Sequence, residues 1–224
     1  HTDRNGLSFS YVFDKQAPQP RVTSAFGDGG LYNYRFVYDD SGREVQVTDS
    51  LQHTSVIRFD ANHLPVEETD PLGGVTCFEY DDCGRTTAVV DPAGRRTEYA
   101  FDDAGNLTEL TRPDGGKVAL CYDERGQLIS LTTPTGATWQ QEWDERGLLV
   151  RQVSPTGSEQ RFVYDSAGFL CAYVDELGAR TEVKSDPCGQ VRALVDPLGH
   201  TTSLGIDALG NVQEERDPLG RVTR

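Results

Sequence analysis

The 224-residue chain has a formal net charge of −15, a 36% share of hydrophobic residues and 23 glycines. This charge predicts no basic face for nucleic acid and disfavours adsorption to an anionic membrane, and no apolar run is long enough to span a bilayer. The composition fits many short strands joined by Gly-dependent turns better than a helical bundle, and the regular recurrence of aromatic residues argues against disorder.

Residues 1–37 predict one or two irregular N-terminal hairpins that are continuous with the chain that follows. Asn5-Gly6 is a strong hairpin dipeptide, and residues 8–13 alternate like a strand. Gly27–Gly30 predict a loop, which leads into an aromatic strand from Leu31 to Tyr38.

Residues 38–224 repeat with a constant period of 21 residues, and such a period is the sequence mark of a repeat architecture. Eight of the nine units are complete, and the ninth is truncated at Arg224. Seven of the nine starting residues are aromatic, and each start is followed by Asp. The units begin at Tyr38, Phe59, Tyr80, Phe101, Tyr122, Trp143, Tyr164, Ser185 and Ile206.

Each unit carries two turn motifs. The first is Asp-x-x-Gly, as in Asp81 to Gly84, and the second is Asp-Pro-x-Gly, as in Asp91 to Gly94. Asp favours the first position of a type I turn because its carboxylate can bond the backbone two residues on, and Gly accepts the left-handed conformation that ends the turn. Both motifs therefore predict three-residue hairpin connections.

Some units depart from the pattern, and we expect each departure to weaken one turn or one row of side chains locally. His63 replaces the first Gly of its unit and Gln52 the second Gly, while Glu176 replaces Pro and Ser185 an aromatic residue. None of them changes the 21-residue period.

Two turns in each unit leave two strands of roughly six residues, a typical strand length. Period-two alternation places Thr97, Tyr99 and Phe101 on one face. About 18 strands at roughly 4.8 Å spacing would form a ribbon of about 85 Å, and sheets of that width usually curl. The predicted fold class is therefore all-β, with tandem hairpins in a curved, spiral antiparallel sheet. Exposed strand edges and the absence of Met lead us to expect a segment of a longer protein.

The motifs resemble the YD repeats of the Rhs family, with good examples from Tyr80 to Thr97 and from Tyr164 to Thr181. The segment from Phe26 to Tyr32 also resembles Rhs sequence upstream of the repeats. This resemblance implies that the array is part of a hollow cocoon around a C-terminal toxin domain. It also implies synthesis in the bacterial cytoplasm and delivery by type VI secretion. The implied partners are the protein's own toxin domain, the remaining shell, a secretion spike and chaperones.

No catalytic, cofactor-binding or metal-binding residue is predicted. The histidines lack metal-ligand spacing, and the five cysteines include no Cys-x-x-Cys pair, so we expect free thiols. The histidines are His1, His53, His63 and His200; the cysteines are Cys77, Cys83, Cys121, Cys171 and Cys188.

Acidic doublets recur at the first turn, where stacked repeats would align them along one rim. They could hold calcium, which prefers oxygen ligands, but the spacings of known calcium loops are missing, so a solvated turn rim is the favoured interpretation. The doublets are Asp39-Asp40, Asp81-Asp82, Asp102-Asp103, Asp123-Glu124 and Asp144-Glu145.

Two further motifs have plain interpretations. Rhs toxins carry a self-cleaving Asp-Pro-x-Gly element before the toxin, but Asp217 to Gly220 is in phase with the ordinary repeat and is therefore predicted to be a turn. Asn106-Leu107-Thr108 is a formal glycosylation sequon, without meaning in a bacterial cytosolic protein.

Three functions remain open at this stage. The favoured one is a structural shell segment of an Rhs-type toxin, with no enzymatic activity of its own. The second is a cell-surface adhesion or carbohydrate-binding repeat protein, or a toxin-complex B or C component. The third is an enzyme on a repeat scaffold, such as a glycosidase, which would need a cleft with paired acids.

Overall fold

A computed structural model of the chain describes residue 6 and residues 8–14, 20–207 and 209–224. These residues form 21 β-strands and one 3-10 turn, Asp28–Gly30. The described part of the chain holds no helix with the length and apolar character needed to cross a membrane. The predicted all-β class with tandem hairpins is confirmed.

The chain divides into two compact units, residues 1–100 with 110–116 and residues 101–109 with 117–224. The strands that lie mostly in the first unit are β1 Phe9–Asp14, β2 Arg21–Gly27, β3 Tyr34–Tyr38, β4 Glu44–Thr48, β5 Thr54–Phe59, β6 Pro65–Thr69, β7 Val75–Tyr80, β8 Thr86–Val90 and β9 Arg96–Phe101. Those mostly in the second are β10 Leu107–Thr111, β11 Lys117–Tyr122, β12 Leu128–Thr132, β13 Thr138–Trp143, β14 Leu149–Val153, β15 Glu159–Tyr164, β16 Leu170–Val174, β17 Arg180–Ser185, β18 Val191–Val195, β19 Thr201–Ile206, β20 Val212–Arg216 and β21 Val222–Thr223.

Consecutive strands pair antiparallel within each unit. In the first unit the pairing runs from β1–β2 through β8–β9. In the second it runs from β11–β12 through β20–β21. Each repeat thus supplies two strands and both of their hairpin connections.

Both predicted turn motifs form the same turn. At the first motif, the Gly84 N–H donates to the Asp81 carbonyl at 2.9 Å, and the Asp81 N–H donates to the Arg85 carbonyl at 3.0 Å. At the second, the Gly94 N–H donates to the Asp91 carbonyl at 2.8 Å. Gly84 and Gly94 have φ angles of 80° and 76°, in the left-handed region that favours glycine.

The two kinds of hairpin differ beyond the turn. In β7–β8, Glu79 lies opposite Ala88 but Tyr80 lies opposite Thr86, so Thr87 is an extra residue on the second strand. This β-bulge recurs in β5–β6, β11–β12, β13–β14, β15–β16, β17–β18 and β19–β20. The hairpins closed by the second motif, such as β8–β9, pair without a shift. Because a bulge bends its strand and increases the local twist, each of these seven repeats combines one bent and one regular hairpin. The first repeat differs, since β3–β4 pairs without a shift.

Two sequence departures keep the turn by adopting the glycine conformation. Gln52 has a φ of 66° and His63 a φ of 62°, although neither is glycine. Their turns retain the closing bonds from Gln52 N–H to the Asp49 carbonyl at 3.1 Å and from His63 N–H to the Asp60 carbonyl at 3.2 Å.

The irregular N-terminal region corrects one predicted boundary. The aromatic strand begins at Tyr34 rather than Leu31, because the 3-10 turn Asp28–Gly30 precedes it and Tyr32 has a left-handed φ of 51°. The strand predicted over residues 8–13 corresponds to β1. His1 and Asn5 lie outside the described residues.

Little of the described chain is buried. The buried hydrophobic residues are small or medium in size, and no large side chain among the described residues is fully buried. Within each unit the strands contact their neighbours in sequence, and no second layer of described residues covers them. Both faces of each sheet therefore remain partly open. The five buried hydrophobic residues are Ala25, Val45, Ala88, Ala172 and Val183.

Candidate functional surface

The aromatic face is the side of each sheet that carries the first residue of each repeat and the residues two and four positions before it. In β9 these are Thr97, Tyr99 and Phe101, which are half-buried, whereas their alternating neighbours are exposed. The same alternation runs along β11 and β19. The sequence predicted this face correctly, because strand side chains point alternately to the two sides.

The opposite side, the charged face, is held by arginine–glutamate ladders. Arg96 donates to Glu79 at 2.6 and 2.8 Å and to Glu98 at 2.8 Å. Ala88 lies between Glu79 and Glu98 in the strand register and is completely buried. These ladders leave the Arg96 guanidinium engaged by two glutamates.

A similar ladder spans β13, β14 and β15. Arg151 bonds Glu142 and also donates to Glu159 at 2.8 Å. The hydrogen bonds from Arg151 and then Arg161 lower the pKa of Glu159 to about 2. The side chains remain partly exposed, so water screens each pair and its separate contribution is small.

The turn aspartates brace the loops of the array. Asp81 Oδ1 accepts the N–H groups of Cys83 and Arg85, both at 2.9 Å, and Oδ2 accepts Arg85 Nε at 2.7 Å. The backbone bond from Arg85 is the main cause of the lowered pKa of Asp81. Turns that lack this Asp use substitutes: Ser154 Oγ accepts the Ser158 N–H at 3.1 Å, and Asp114 Oδ1 accepts the Gly116 N–H at 2.9 Å.

The acidic doublets lie on these turns, and their two members differ. The first member accepts backbone N–H groups of its own turn in every doublet. The second member is exposed; these are Asp40, Asp82, Asp103, Glu124 and Glu145. No group of three His, Cys, Asp or Glu residues suited to a metal ion occurs in the described ranges. The positions thus match a turn rim, and calcium binding stays an untested alternative.

The histidines and cysteines are dispersed. His53 and His200 contact Asp49 and Asp196 of their own turns at 3.2 and 2.9 Å. His63 occupies the left-handed turn position. The five cysteines, all within the described part, are unpaired thiols, as the sequence predicted.

The two remaining motifs occupy ordinary turns. Asp217 accepts the Gly220 N–H on its carbonyl at 2.9 Å, the same closing bond as in the other units. Asn106 Nδ2 donates to Asp102 Oδ2 at 3.0 Å, so the sequon asparagine braces its own turn.

Three of the aromatic starting residues connect successive repeats, a role that the sequence did not reveal. Tyr80 Oη donates to the Pro65 carbonyl at 2.7 Å, and Tyr164 Oη donates to the Leu149 carbonyl at 2.9 Å. Trp143 Nε1 makes the equivalent bond to the Leu128 carbonyl at 2.8 Å. Each acceptor is the first residue of the bulged strand in the preceding repeat. Burial raises the pKa of Tyr80 and Tyr164. The available sequence signal was the spacing, because each donor residue lies 15 residues after its acceptor.

A polar groove of about 710 Å³ lies in the first unit, between the N-terminal hairpins and the first repeat. The Arg21 guanidinium lies 5.1 Å from the centre of the Tyr38 ring, and Asp14, Asp39 and His63 contribute to the lining. The hydrogen bond from Ser41 is the main cause of the lowered pKa of Asp39, whose carboxylate also accepts the Glu44 N–H at 2.8 Å. The Asp39 carboxylate therefore bonds groups of its own turn and the strand that follows. Nothing in the sequence pattern predicted this groove.

A second groove, of about 430 Å³, lies on the aromatic face of the second unit. Its lining is mainly apolar and contains no ionic side chain. The lining residues are Leu128, Leu131, Thr133, Trp139, Gln141 and Gln152.

Comparison with protein families finds the RHS Repeat. Its sequence profile matches four overlapping segments, residues 59–96, 80–117, 122–159 and 143–181, which together cover more than half of the chain. No curated protein matches the sequence.

Solved structures match nearly the whole chain at low identity. A crystal structure titled TcdB2-TccC3-TEV matches 98% of this chain with a TM-score of 0.62 and 13% identity, over 14% of its own chain. TcdB2-TccC3 without its hypervariable C-terminal region matches 99% with a TM-score of 0.60 and 13% identity, over 16% of its own chain. The Tc holotoxin pore of Photorhabdus luminescens matches 96% with a TM-score of 0.50 and 14% identity, over 16% of its own chain. The chain therefore spans about one-seventh of the length of these structures and shares their local fold.

Proposed function

Because this chain belongs to the RHS repeat family, we propose that it is a wall segment of a protein shell in an Rhs-type toxin or toxin-complex component, and that the shell encloses a C-terminal toxin domain. The observation that carries this proposal is the continuous array of 21-residue hairpins. Nearly the full length of this chain matches a part of TcdB2-TccC3. The role is structural, and we propose no catalytic activity for the segment.

The physical character of the array supports a wall. A compact domain stabilises itself by packing two layers around one core, whereas these strands form single layers with partly open faces. Their stability comes from neighbouring strands, braced turns and bonds between successive repeats, so it grows with each added repeat. Such a structure can extend over a large area without needing an interior core of its own.

The proposed partners follow from this role. The remaining shell would continue the strand pairing, and the enclosed toxin domain would face one side of the wall. We propose synthesis in the bacterial cytoplasm and delivery to a target cell by type VI secretion, with a secretion spike and chaperones as further partners. The alternative setting is a toxin complex, which the similarity to TcdB2-TccC3 and to the Tc holotoxin pore favours.

Limited proteolysis of the full-length protein that contains this chain tests enclosure. We expect the C-terminal toxin domain to resist protease while the shell is intact, and cryo-electron microscopy to show a closed cavity holding C-terminal sequence. An open or rod-like array, or a toxin domain cleaved as fast as the isolated domain, would contradict the proposal.

A matched pair of variants separates enclosure from general stability. Gly84→Val with Gly94→Val strains two consecutive turns of the wall, since both glycines have left-handed φ angles. We expect this double variant to expose the toxin domain to protease at a temperature where the rest of the shell is folded. Cys83→Ala alters an exposed turn position without this strain and should leave protection unchanged.

The delivery setting needs a separate experiment. Export of the full-length protein is measured in the native bacterium with and without a functional type VI apparatus. Loss of export in the mutant supports type VI secretion, whereas unchanged export together with co-purification of toxin-complex subunits supports the alternative.

A further inference from the structure

Arg35 is an arginine of the charged face without an acidic partner among the described residues. It is exposed on β3, and its guanidinium makes no hydrogen bond or ion pair to the described part of the chain. Arg58 on the same face shows the usual arrangement, since it lies between Glu44 and Glu67 in the strand register and bonds them at 3.0 and 2.8 Å. The positive charge of Arg35 therefore lacks the compensation that Arg58 has.

Hydroxyl groups lie on both sides of Arg35 where Arg58 has acids. Ser24 on β2 and Thr48 on β4 are directly opposite Arg35, and Thr54 on β5 is opposite Thr48. Directly opposed residues have Cβ atoms about 5 Å apart. The Thr48 and Thr54 hydroxyls bond each other at 2.9 Å, which leaves the hydrogen of one of them available. The Ser24 hydroxyl bonds no described residue.

A neutral amide also replaces an acid beside Arg35. Six repeat periods later, Arg161 occupies the equivalent position and bonds Glu159, two residues before it. Asn33 stands where Glu159 stands, two residues before Arg35. Its amide has two N–H donors and bonds no residue of the described ranges. The arginine is thus kept while its acidic partner is absent.

The sheet does not need an arginine at this position. Four repeat periods after Arg35 the equivalent residue is Ala119, which lies opposite Thr132. The Thr132 and Thr138 hydroxyls bond each other at 3.0 Å, like those of the first repeat. The same strands and the same pair of hydroxyls therefore form without a guanidinium beside them.

The donors around Arg35 share a polar groove of about 620 Å³ inside the first unit. Asp49 contributes an acid to its lining, but that carboxylate is occupied. Its Oδ1 accepts the N–H groups of Leu51 and His53 at 2.8 and 2.9 Å, and its Oδ2 lies 3.2 Å from His53 Nδ1. The donor residues that line the groove are Ser24, Asn33, Arg35, Thr48 and Thr54.

This donor set fits a phosphate group better than a carboxylate. A guanidinium presents a planar fork of N–H donors that matches two oxygens of either group. A carboxylate has no further oxygen, whereas a tetrahedral phosphate has others that point away from the fork. Hydroxyls on the neighbouring strands and the Asn33 amide supply donors for those oxygens. The volume lies within the usual range of small-molecule sites, roughly 300–1,000 Å³.

We propose that this groove binds a phosphate group, either as inorganic phosphate or as a phosphate monoester. The Arg35 guanidinium donates to two of the phosphate oxygens, and the Ser24 hydroxyl and the Asn33 amide donate to the others. The inference is independent of the shell function, because every group that it uses belongs to the first unit.

The test titrates the 224-residue chain with inorganic phosphate, phosphoserine and glutamate, followed by isothermal titration calorimetry. We expect phosphate or phosphoserine to bind with a Kd of about 1 mM or lower, and glutamate to bind about tenfold more weakly or not at all. Tighter binding of phosphoserine than of inorganic phosphate would identify a monoester as the ligand, and the reverse would identify the free ion.

Two variants remove the positive charge in different ways. Arg35→Ala should weaken phosphate binding by about tenfold or more, and folding should be preserved because Ala119 occupies the equivalent position. Asn33→Glu introduces the acid that Arg161 has in Glu159. It should weaken binding to a similar extent, because the new carboxylate occupies the Arg35 guanidinium without removing it.

Arg161→Ala is the matched control, because it removes an arginine that an acid already engages. It should bind phosphate like the unmodified chain, and thermal unfolding shows that each variant is folded. The proposal is overturned if neither phosphate ligand binds or if glutamate binds as tightly. It is also overturned if Arg35→Ala or Asn33→Glu binds like the unmodified chain, or if Arg161→Ala weakens binding as much as Arg35→Ala.

Discussion

The hairpins closed by the first turn motif and those closed by the second differ although their turns are alike. Both motifs use the same carbonyl-to-glycine bond and the same left-handed Gly, yet seven first-motif hairpins are followed by a bulge and the second-motif hairpins pair without one. The bulge displaces the strand register, and the aromatic residue of the next repeat donates to the carbonyl at that point. The turn therefore fixes the reversal of the chain direction, whereas the hydrogen bonds between successive repeats are accepted only by the strand that carries the bulge.

The largest effect should come from straining either turn. Gly84→Val in a first turn and Gly94→Val in a second should each lower the free energy of unfolding by about 2 kcal/mol, because a β-branched residue resists a left-handed φ. No side chain is within ordinary contact of a Cβ at Gly94, and only Leu64 is near one at Gly84. Urea unfolding measures both variants. A loss of stability in one variant and none in the other would show that the two turn motifs are not equivalent.

The bond between repeats should matter only on the bulged side. Tyr80→Phe and Tyr164→Phe each remove a hydroxyl donor to a bulge carbonyl and should lower the free energy of unfolding by about 1 kcal/mol. Tyr122→Phe is the control, since the Tyr122 hydroxyl bonds no residue in the described part of the chain. Equal losses in all three variants, measured by urea unfolding, would show that the bond itself contributes nothing.

Replacing the two strained residues should stabilise both kinds of turn. His63→Gly and Gln52→Gly remove a left-handed φ from a non-glycine residue, and we expect a gain of about 0.5–1 kcal/mol after the entropic cost of glycine. Asn62→Gly, one position earlier, lacks the positive φ and should give no gain. Thermal unfolding of the three variants checks this. Destabilisation by His63→Gly would contradict the interpretation that the left-handed φ of His63 is strained.

The smallest effect should appear in the pH dependence of the turn aspartates. Hydrogen bonds from Asn211 lower the pKa of Asp207 to about 2, below its ordinary value of 3.8. A lowered folded-state pKa means that the stabilisation is present above about pH 4 and is lost as pH falls from 4 to 2. Asp207→Asn should therefore flatten the decline of the melting temperature over this range.

Asp40→Asn provides the control for that change. It removes the same formal charge at an exposed position that makes no turn hydrogen bond. A melting profile that declines equally in Asp207→Asn and in the unmodified chain would show that the turn bonds do not respond to pH.

The sequence by itself determined the all-β class, the 21-residue register and both turns, because Asp, Pro and Gly act through local backbone preferences. It also determined which residues share a face, since strand alternation is a local rule. Only the tertiary structure decided the bulge at Thr87, the bond from Tyr80 to Pro65 and the neighbourhood of Arg35. Those features depend on the pairing of one strand with the next, and a one-residue shift in pairing leaves no mark in the local sequence.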